Sequence, residues 1–391
     1  MSVPKLRFKE FDEAWKPSIL ADISNIVTGS TPATSKSEYY DGDFLFVSPA
    51  DIQENRYVDA TKTTLTKEGF NKCRHIPKNS ILFVCIGSTI GKIAQNKEIC
   101  ATNQQINAVI PNNYHVSDFL YLVLEKLAPS IKLTAGVQAV PLINKTEFGK
   151  TELFTPTLGE QTKIASFLSA VDEKISQHTQ KHELLSQYKQ GMMQKLFSQQ
   201  LRFKADDGSE FGEWEDKKLA EVCNFINGRA YKQTEWEKEG IPVIRLQNLT
   251  GSGKDYYYSN LNLPNHQYCY NNDLLYMWSA TFGPVFWQGE KAIFHYHIWK
   301  IEVNPQLLDK KYAYFLLDEM TEKMKRSLNG STMLHVTKQG MEDTVKTIPS
   351  LKEQTKIANF LSAIDQKIEV VAQQIEQAKQ WKKGLLQQMF V

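Results

Sequence analysis

The 391-residue chain has little of what usually announces a function. Its five cysteines (Cys73, Cys85, Cys100, Cys223, Cys269) are odd in number and scattered, with no C-x2-C pair. That argues against a disulfide framework and a cysteine-rich zinc site, and it fits a reducing cytoplasm. No apolar run approaches the ~18 residues of a membrane span, and the opening MSVPKLRFKEF is charged with no apolar stretch behind it. Neither a transmembrane helix nor a secretory signal is expected. An excess of one charge is missing too. Forty-six Lys and Arg stand against 44 Asp and Glu, a formal +2, short of the basic balance of an autonomous nucleic-acid binder. The remainder, 41% apolar, 23% charged and 11% aromatic, excludes a disordered, collagenous or wholly coiled-coil chain. At this length two domains of roughly 100–200 residues are the default.

What the chain does have is a repeat, the feature that decides architecture before any other. LGEQTKIASFLSAVDEKI (158–175) returns as LKEQTKIANFLSAIDQKI (351–368), displaced by 193 positions and identical at 14 of 18. LRFK opens at Leu6 and again at Leu201. Trp15, Leu20, Ala21, Asn25 and Gly29 line up with Trp214, Leu219, Ala220, Asn224 and Gly228. The chain therefore reads as two copies of one unit, each a mixed block of roughly 150 residues followed by a helix of roughly 40.

Period assigns the helices. Ile164, Leu168, Val171, Ile175, His178, His182, Leu185, Lys189, Met192 and Leu196 alternate steps of four and three, the seam of a heptad repeat. Ile357, Leu361, Ile364, Ile368, Val371, Ile375, Ala378, Lys382, Leu385 and Met389 repeat those steps in the second copy. Pro156 and Pro349 sit just before the two runs, where proline is tolerated. Forty residues at 1.5 Å each make a rod of about 60 Å. A rod with one apolar stripe needs a partner stripe, and its duplicate is the obvious one. With a block between them, the two should pair antiparallel. An approximate two-fold would then set the blocks at opposite ends and bring Val391 near Met1.

The blocks read as strand-rich α/β. FLFVSPADI (44–52), ILFVCIGSTIG (81–91) and INAVIP (106–111) are β-branched or aromatic runs, and DFLYLVLEKLAP (118–129) is a short helix ended by Pro129. The second block offers IPVIRLQNL (241–249), DLLYMW (273–278), FHYHIWKIEV (294–303) and a helix over 311–328. The fold class is thus mixed α+β: two pseudo-repeated α/β blocks separated by two long antiparallel helices in an intramolecular coiled coil.

The twice-used EQxKIAxFLSAxDxKI helix, each time behind a variable block opening near LRF…W, resembles the specificity subunit of type I restriction–modification enzymes. The resemblance covers the whole chain. It implies target-recognition domains at 1–157 and 199–350 and spacer helices at 158–198 and 351–391. It implies a bipartite, asymmetric double-stranded DNA site, each half read by one domain. Two methyltransferase subunits, and in some systems motor–nuclease subunits, would dock on the assembly. The chain itself would do no chemistry and hold no cofactor. S-adenosylmethionine would belong to the methyltransferase, and ATP with magnesium to the restriction subunit.

The residues agree with that division of labour. The [ND]-P-P-[YF] tetrapeptide of an adenine methyltransferase is missing; NPQL (304–307) is the nearest match. GSTIGKI (87–93) has three residues between its glycines and Ile93 after Lys92, so it reads as a turn after a strand and not as a phosphate loop. His178 and His182 share a helix face at zinc-ligand spacing, but the second copy has Val371 and Ile375 there and no carboxylate or cysteine completes a set. His295 and His297 share one face of a strand and are read the same way.

Neither block is globally basic: 1–150 holds 17 basic and 15 acidic residues, and 201–350 holds 18 and 20. A DNA face must then be a local patch, with the remaining phosphate neutralisation supplied by partners. Base reading needs bidentate side chains, Arg or Lys for guanine and Asn or Gln for adenine. Loop candidates are Arg56, Arg74, Lys92, Gln104 and Gln105 in the first block. In the second they are Arg229, Lys232, Arg245, Gln247, Asn248 and Lys254. Ser30, Thr31, Thr34 and Lys36 form a polar loop suited to phosphate. Tyr256, Tyr257 and Tyr258 could stack on a base, although strand packing is the simpler use. The competing reading is a non-DNA-binding helical scaffold for protein assembly.

Overall fold

The computed structural model describes residues 3–53, 55–136, 140–279, 281–327 and 336–391. They form two compact units, Met1–His182 with Val371–Val391, and Glu183–Val370. None of the described helices is long and apolar enough to cross a membrane.

Both runs with heptad spacing are unbroken helices, Leu158–Phe197 and Leu351–Met389. Each unit contains one end of each. In the first unit Asp172 of the first helix meets Lys382 of the second at 2.8 Å; in the second unit Lys189 meets Asp365 at 2.7 Å. Within the first unit the start of the first long helix is paired with the end of the second, and within the second unit the end of the first is paired with the start of the second, the antiparallel sense expected. Ile164, Leu168, Val171, Ile357, Leu361, Ile364, Val371 and Leu385 are buried, whereas Ile175, Leu185, Ile368 and Ile375 are half-buried. Full burial of each Leu or Ile contributes about 1.5–3 kcal/mol, so the seam is held mainly at its two ends. One expected seam position shifts: Met193, with Leu196, fills the second unit's core, and Met192 only packs against its edge. A straight helix at 3.6 residues per turn drifts off a strict seven-residue repeat, which moves the stripe by one position here.

The repeated letters outside the seam make one buried lock twice. Glu160 is fully buried and accepts hydrogen bonds from Arg7 Nε and Nη2, both at 2.8 Å, and from Trp15 Nε1 at 3.3 Å. Glu353, equally buried, accepts from Arg202 Nε at 3.1 Å, Arg202 Nη2 at 2.8 Å and Trp214 Nε1 at 3.1 Å. The neighbouring glutamines match as well. Gln161 bonds the backbone of Val116 and Pro156, and Gln354 that of Asp309 and Pro349. Each lock ties the LRFK segment and the block's own helix to the start of a long helix.

That block helix runs Ser117–Leu133 in the first unit, with Pro129 inside it and not at its end. Proline forfeits one backbone bond there, but Ala128 and Ile131 face the core on either side of it, and their burial keeps the chain helical. Its counterpart spans Lys310–Ser327; Leu328 lies outside the described residues. Glu125 and Asp318, again 193 apart, complete the lysine joints, with Lys382 bound to Glu125 and Asp172, and Lys189 to Asp318 and Asp365.

The sheets repeat the same plan. The first unit pairs Ser24–Thr28 with Ile106–Pro111, then Ile81–Val84, Ile93–Asn96 and Tyr57–Val58. The second pairs Cys223–Asn227 with Ile298–Val303, then Leu274–Ser279 and Thr281–Phe286. A second sheet in each unit contains one parallel pair, Tyr40–Val47 beside Ala101–Thr102, and Ile241–Ile244 beside Ala292–Phe294. Four expected strands do not span their runs, and those at 44–52 and 81–91 end at Val47 and Val84. After Ile244 the segment Leu246–Thr250 turns into a short helix, and His295–His297 connects two strands of different sheets instead of lying within one. GSTIGKI is the connection of the Ile81–Val84/Ile93–Asn96 hairpin, with Gly87 and Gly91 at φ near +93° and +94°.

Candidate nucleic-acid interface

Three segments that are distant in sequence converge where the two sheets meet, and they converge identically in both units. In the first unit Gly29 N donates to Ile106 O (3.0 Å), Ser30 N to Thr102 O (2.9 Å), Asn103 N to Val47 O (3.0 Å) and Ile106 N to Asn103 O (3.2 Å). In the second, Gly228 N donates to Ile298 O (3.0 Å), Arg229 N to Phe294 O (3.3 Å), His295 N to Ile244 O (2.9 Å) and Ile298 N to His295 O (2.9 Å). The third segment matches too. Ser48 N donates to the Asp51 carboxylate (2.8 Å) as Arg245 N does to Asn248 Oδ1 (2.9 Å). The crossing demands glycine. A Cβ on Gly29 would lie 2.1 Å from Asn103 O, and one on Gly228 would lie 2.2 Å from His295 O. This is why Gly29 and Gly228 align when so little else in the blocks does.

On this shared backbone the side chains differ completely. The first unit presents Ser30, Thr31, Asn103, Gln104 and Gln105, with Arg74 beside them. Thr31 donates to Gln104 Oε1 (2.6 Å), Asn103 Nδ2 to Gln105 Oε1 (3.0 Å), and Arg74 Nη1 to Thr28 O (2.7 Å). The second unit presents Arg229, Arg245, His295, Tyr296 and His297 among aromatic rings. The two imidazoles lie 5.3 Å apart, Trp278 is 5.5 Å from His297, and the Arg245 guanidinium sits 5.1 Å above the Tyr257 ring. Burial, the neighbouring His297 and Arg245 together depress His295 to about 4, and burial with Arg245 lowers His297 as well. Both rings are therefore neutral at pH 7, able to donate at one nitrogen and accept at the other.

The expected contact residues distribute unevenly around this crossing. Ser30, Thr31, Arg74, Gln104, Gln105, Arg229 and Arg245 lie on it. Thr34, Lys36, Lys232 and Lys254 are exposed on adjoining loops. Arg56 does not belong in the set: it is buried, pairs with Asp118 (2.7 Å) and Asp172 (3.3 Å), and bonds Gln95 and Ser169. Its charge is consumed in joining the block to the long helix. Lys92 donates to Ile52 O (2.9 Å), and Asn248 closes its own loop through Gly253 and Asp255. Gln247 is half-buried against Gly253 in the same loop. Tyr257 and Tyr258 lie in the strand Tyr257–Ser259, and Tyr257 packs on Trp236 with ring centroids 4.5 Å apart. Asn103, His295, Tyr296 and His297 are the members that spacing did not reveal, because only the strand crossing brings them to the glycine turn. His178 and His182 are half-buried on the first long helix, and no group of three or more metal-ligating side chains occurs among the described residues.

Comparison with known proteins adds a family. Residues 12–187 and 212–380 match the family described as type I restriction modification DNA specificity domain. The type I restriction enzyme MjaVIII specificity subunit of Methanocaldococcus jannaschii is 25% identical over 96% of this chain and 91% of its own. The putative MjaX specificity subunit of the same organism is 27% identical over 98% and 94%. Among solved structures, a type I restriction–modification S subunit from M. genitalium superposes with a TM-score of 0.60 at 16% identity, covering 100% of this chain and 99% of that one.

Proposed function

Because the chain belongs to the family of type I restriction–modification DNA specificity subunits, we propose that it reads a bipartite, asymmetric site on double-stranded DNA, one half with each block. The supporting observation is the duplicated crossing: one backbone arrangement, held by the same hydrogen bonds, carries amides and hydroxyls in one copy and Arg, His and aromatic side chains in the other. Identical scaffolding with unlike side chains is what two readers of unlike sequences require, since hydrogen bonds to base edges carry the specificity. A helical assembly scaffold accounts for the near-identical long helices but not for this divergence on a fixed frame.

In this reading the chain is non-catalytic. It docks two methyltransferase subunits, which bind S-adenosylmethionine and methylate adenine N6. Restriction subunits working with ATP and magnesium join where the host has them. A formal charge of +2 leaves much of the phosphate neutralisation to those partners. The paired helices act as a spacer, and about 60 Å of helix limits the half-site separation to roughly 18 base pairs. Inserting two whole helical turns at matched depths of both long helices lengthens the gap in the methylated motif and leaves both halves unchanged. Methylome sequencing that finds the same gap overturns the spacer.

A further inference from the structure

The two crossings can be compared residue by residue, and this comparison rests on the DNA-reading function just proposed. Hydrogen bonding sets Asn103, Gln104 and Gln105 in the places of His295, Tyr296 and His297, Ser30 in that of Arg229, and Ser48 in that of Arg245. The members of the second set are not equally free. Arg229 is ion-paired with Glu235, which neutralises its charge. No carboxylate pairs with Arg245 among the described residues; its guanidinium is oriented only by the Tyr257 ring at 5.1 Å. Tyr257 is itself fixed against Trp236, and Trp278 Nε1 donates to Tyr296 O at 2.8 Å, which fixes the histidine segment. The result is an unpaired planar fork of donors beside two neutral imidazoles, held on stacked rings. In the first unit the three crossing segments present amides and hydroxyls, and the guanidinium beside them, Arg74, is turned onto the backbone oxygens of Thr28 (2.7 Å) and Gly29 (3.4 Å).

We propose that Arg245 and His297 determine the base specificity of the half-site read by the second block and select a guanine there, while the exposed Gln104, on the matching segment of the first block, determines the other half and selects adenine. The chemistry is that of the major groove. An Arg fork matches guanine O6 and N7, a neutral imidazole adds a single donor or acceptor to the neighbouring base, and an amide matches adenine N6 and N7. A lysine or arginine outside the crossing that touches only phosphate would weaken binding without relaxing either half.

The test uses the full chain with its methyltransferase partners in cells, read by methylome sequencing. Arg245→Ala and His297→Ala each relax one position in one half-site, with a roughly ten- to hundredfold fall in the modification ratio of cognate over substituted base. The position relaxed by Arg245→Ala is a G·C pair, and the other half stays fully specified. Gln104→Ala relaxes an A·T position in the opposite half only. Continued reading of the unmutated half shows in the same data set that each variant folds and assembles. If His297→Ala does not assemble, Arg245→Gln, which keeps a planar polar group, supplies the second-block result. A motif unaltered by all the variants, relaxation of both halves together, or an A·T pair at the Arg245-dependent position overturns the assignment. If deleting the chain leaves the methylation pattern unchanged, the DNA-reading function itself fails; a chain-dependent pattern indifferent to these variants sinks only the present inference.

Discussion

Removing the Glu160 carboxylate should cost far more than a surface ion pair would. Glu160→Ala deletes the acceptor of three hydrogen bonds, two at 2.8 Å from Arg7 and one at 3.3 Å from Trp15. It strands a guanidinium whose side chain is only 11% exposed. Truncating one partner of a buried ion pair costs about 3–5 kcal/mol, and the partial access of water to Arg7 puts this case near the lower end, about 3 kcal/mol. Glu160→Gln keeps one acceptor and the same shape, so about half that loss is expected. Arg7→Ala alone also destabilises, but in the Glu160→Ala background it should be nearly neutral, because the stranded charge is then gone. Urea denaturation of the four chains of this double-mutant cycle gives a coupling of about 2 kcal/mol. Hydrogen exchange should place the loss in Met1–His182 and Val371–Val391, the unit that contains the lock. Single-mutant effects that add to within about 0.5 kcal/mol would refute the argument, since independent residues do not form a lock.

Two further outcomes follow from the crossings. Gly29→Ala drives a Cβ against Asn103 O, and Gly228→Ala against His295 O, so each should destabilise its own unit by about 2–3 kcal/mol and abolish recognition of one half-site only; thermal melts with methylome sequencing check both. His295 titrates near 4 when folded and near 6.5 when unfolded, so the unfolded chain binds more protons between those values. The stability of the second unit is therefore full above pH 6.5, falls as the pH drops, and levels off below about 4. The half-exposed ring makes the loss on the order of 1 kcal/mol after solvent screening, and denaturation midpoints of the wild type should fall across that range relative to those of His295→Asn, which has no titrating ring.

The repeat, the long helices and most of their seam were legible because they depend on residues near each other in sequence. Ile164, Leu168 and Val171 lie on one stripe whatever else the chain does. Features that depend on distant partners were not legible. By its sequence neighbours Arg56 is a loop arginine, yet Asp172, 116 positions away, neutralises it. Local propensity makes Pro129 a helix stop, and tertiary burial of Ala128 and Ile131 overrides it. FHYHIWKIEV shows no break, so spacing alone sets His295 and His297 on one face of a strand, and only the parallel pairing of Ala292–Phe294 with Ile241–Ile244 reveals that the chain changes sheets there. The Glu160 and Glu353 locks were within reach of the sequence. Arg, Trp and Glu recur together in both copies, and recurring charge beside recurring tryptophan is a readable sign of a buried pair.

Sharing each long helix between two units also has a consequence for biosynthesis. The core formed by Trp15 and Phe119 is completed by Phe390, and Leu6 N is bonded to Gln388 O at 2.8 Å. A ribosome must therefore deliver the 188 residues of Glu183–Val370 before the first unit can close. At 5–20 residues per second that wait is roughly 10–40 s, during which the stripe at Ile164, Leu168 and Val171 has no mate. The block made first is thus finished last, and chaperone demand during translation should fall on the amino-terminal half.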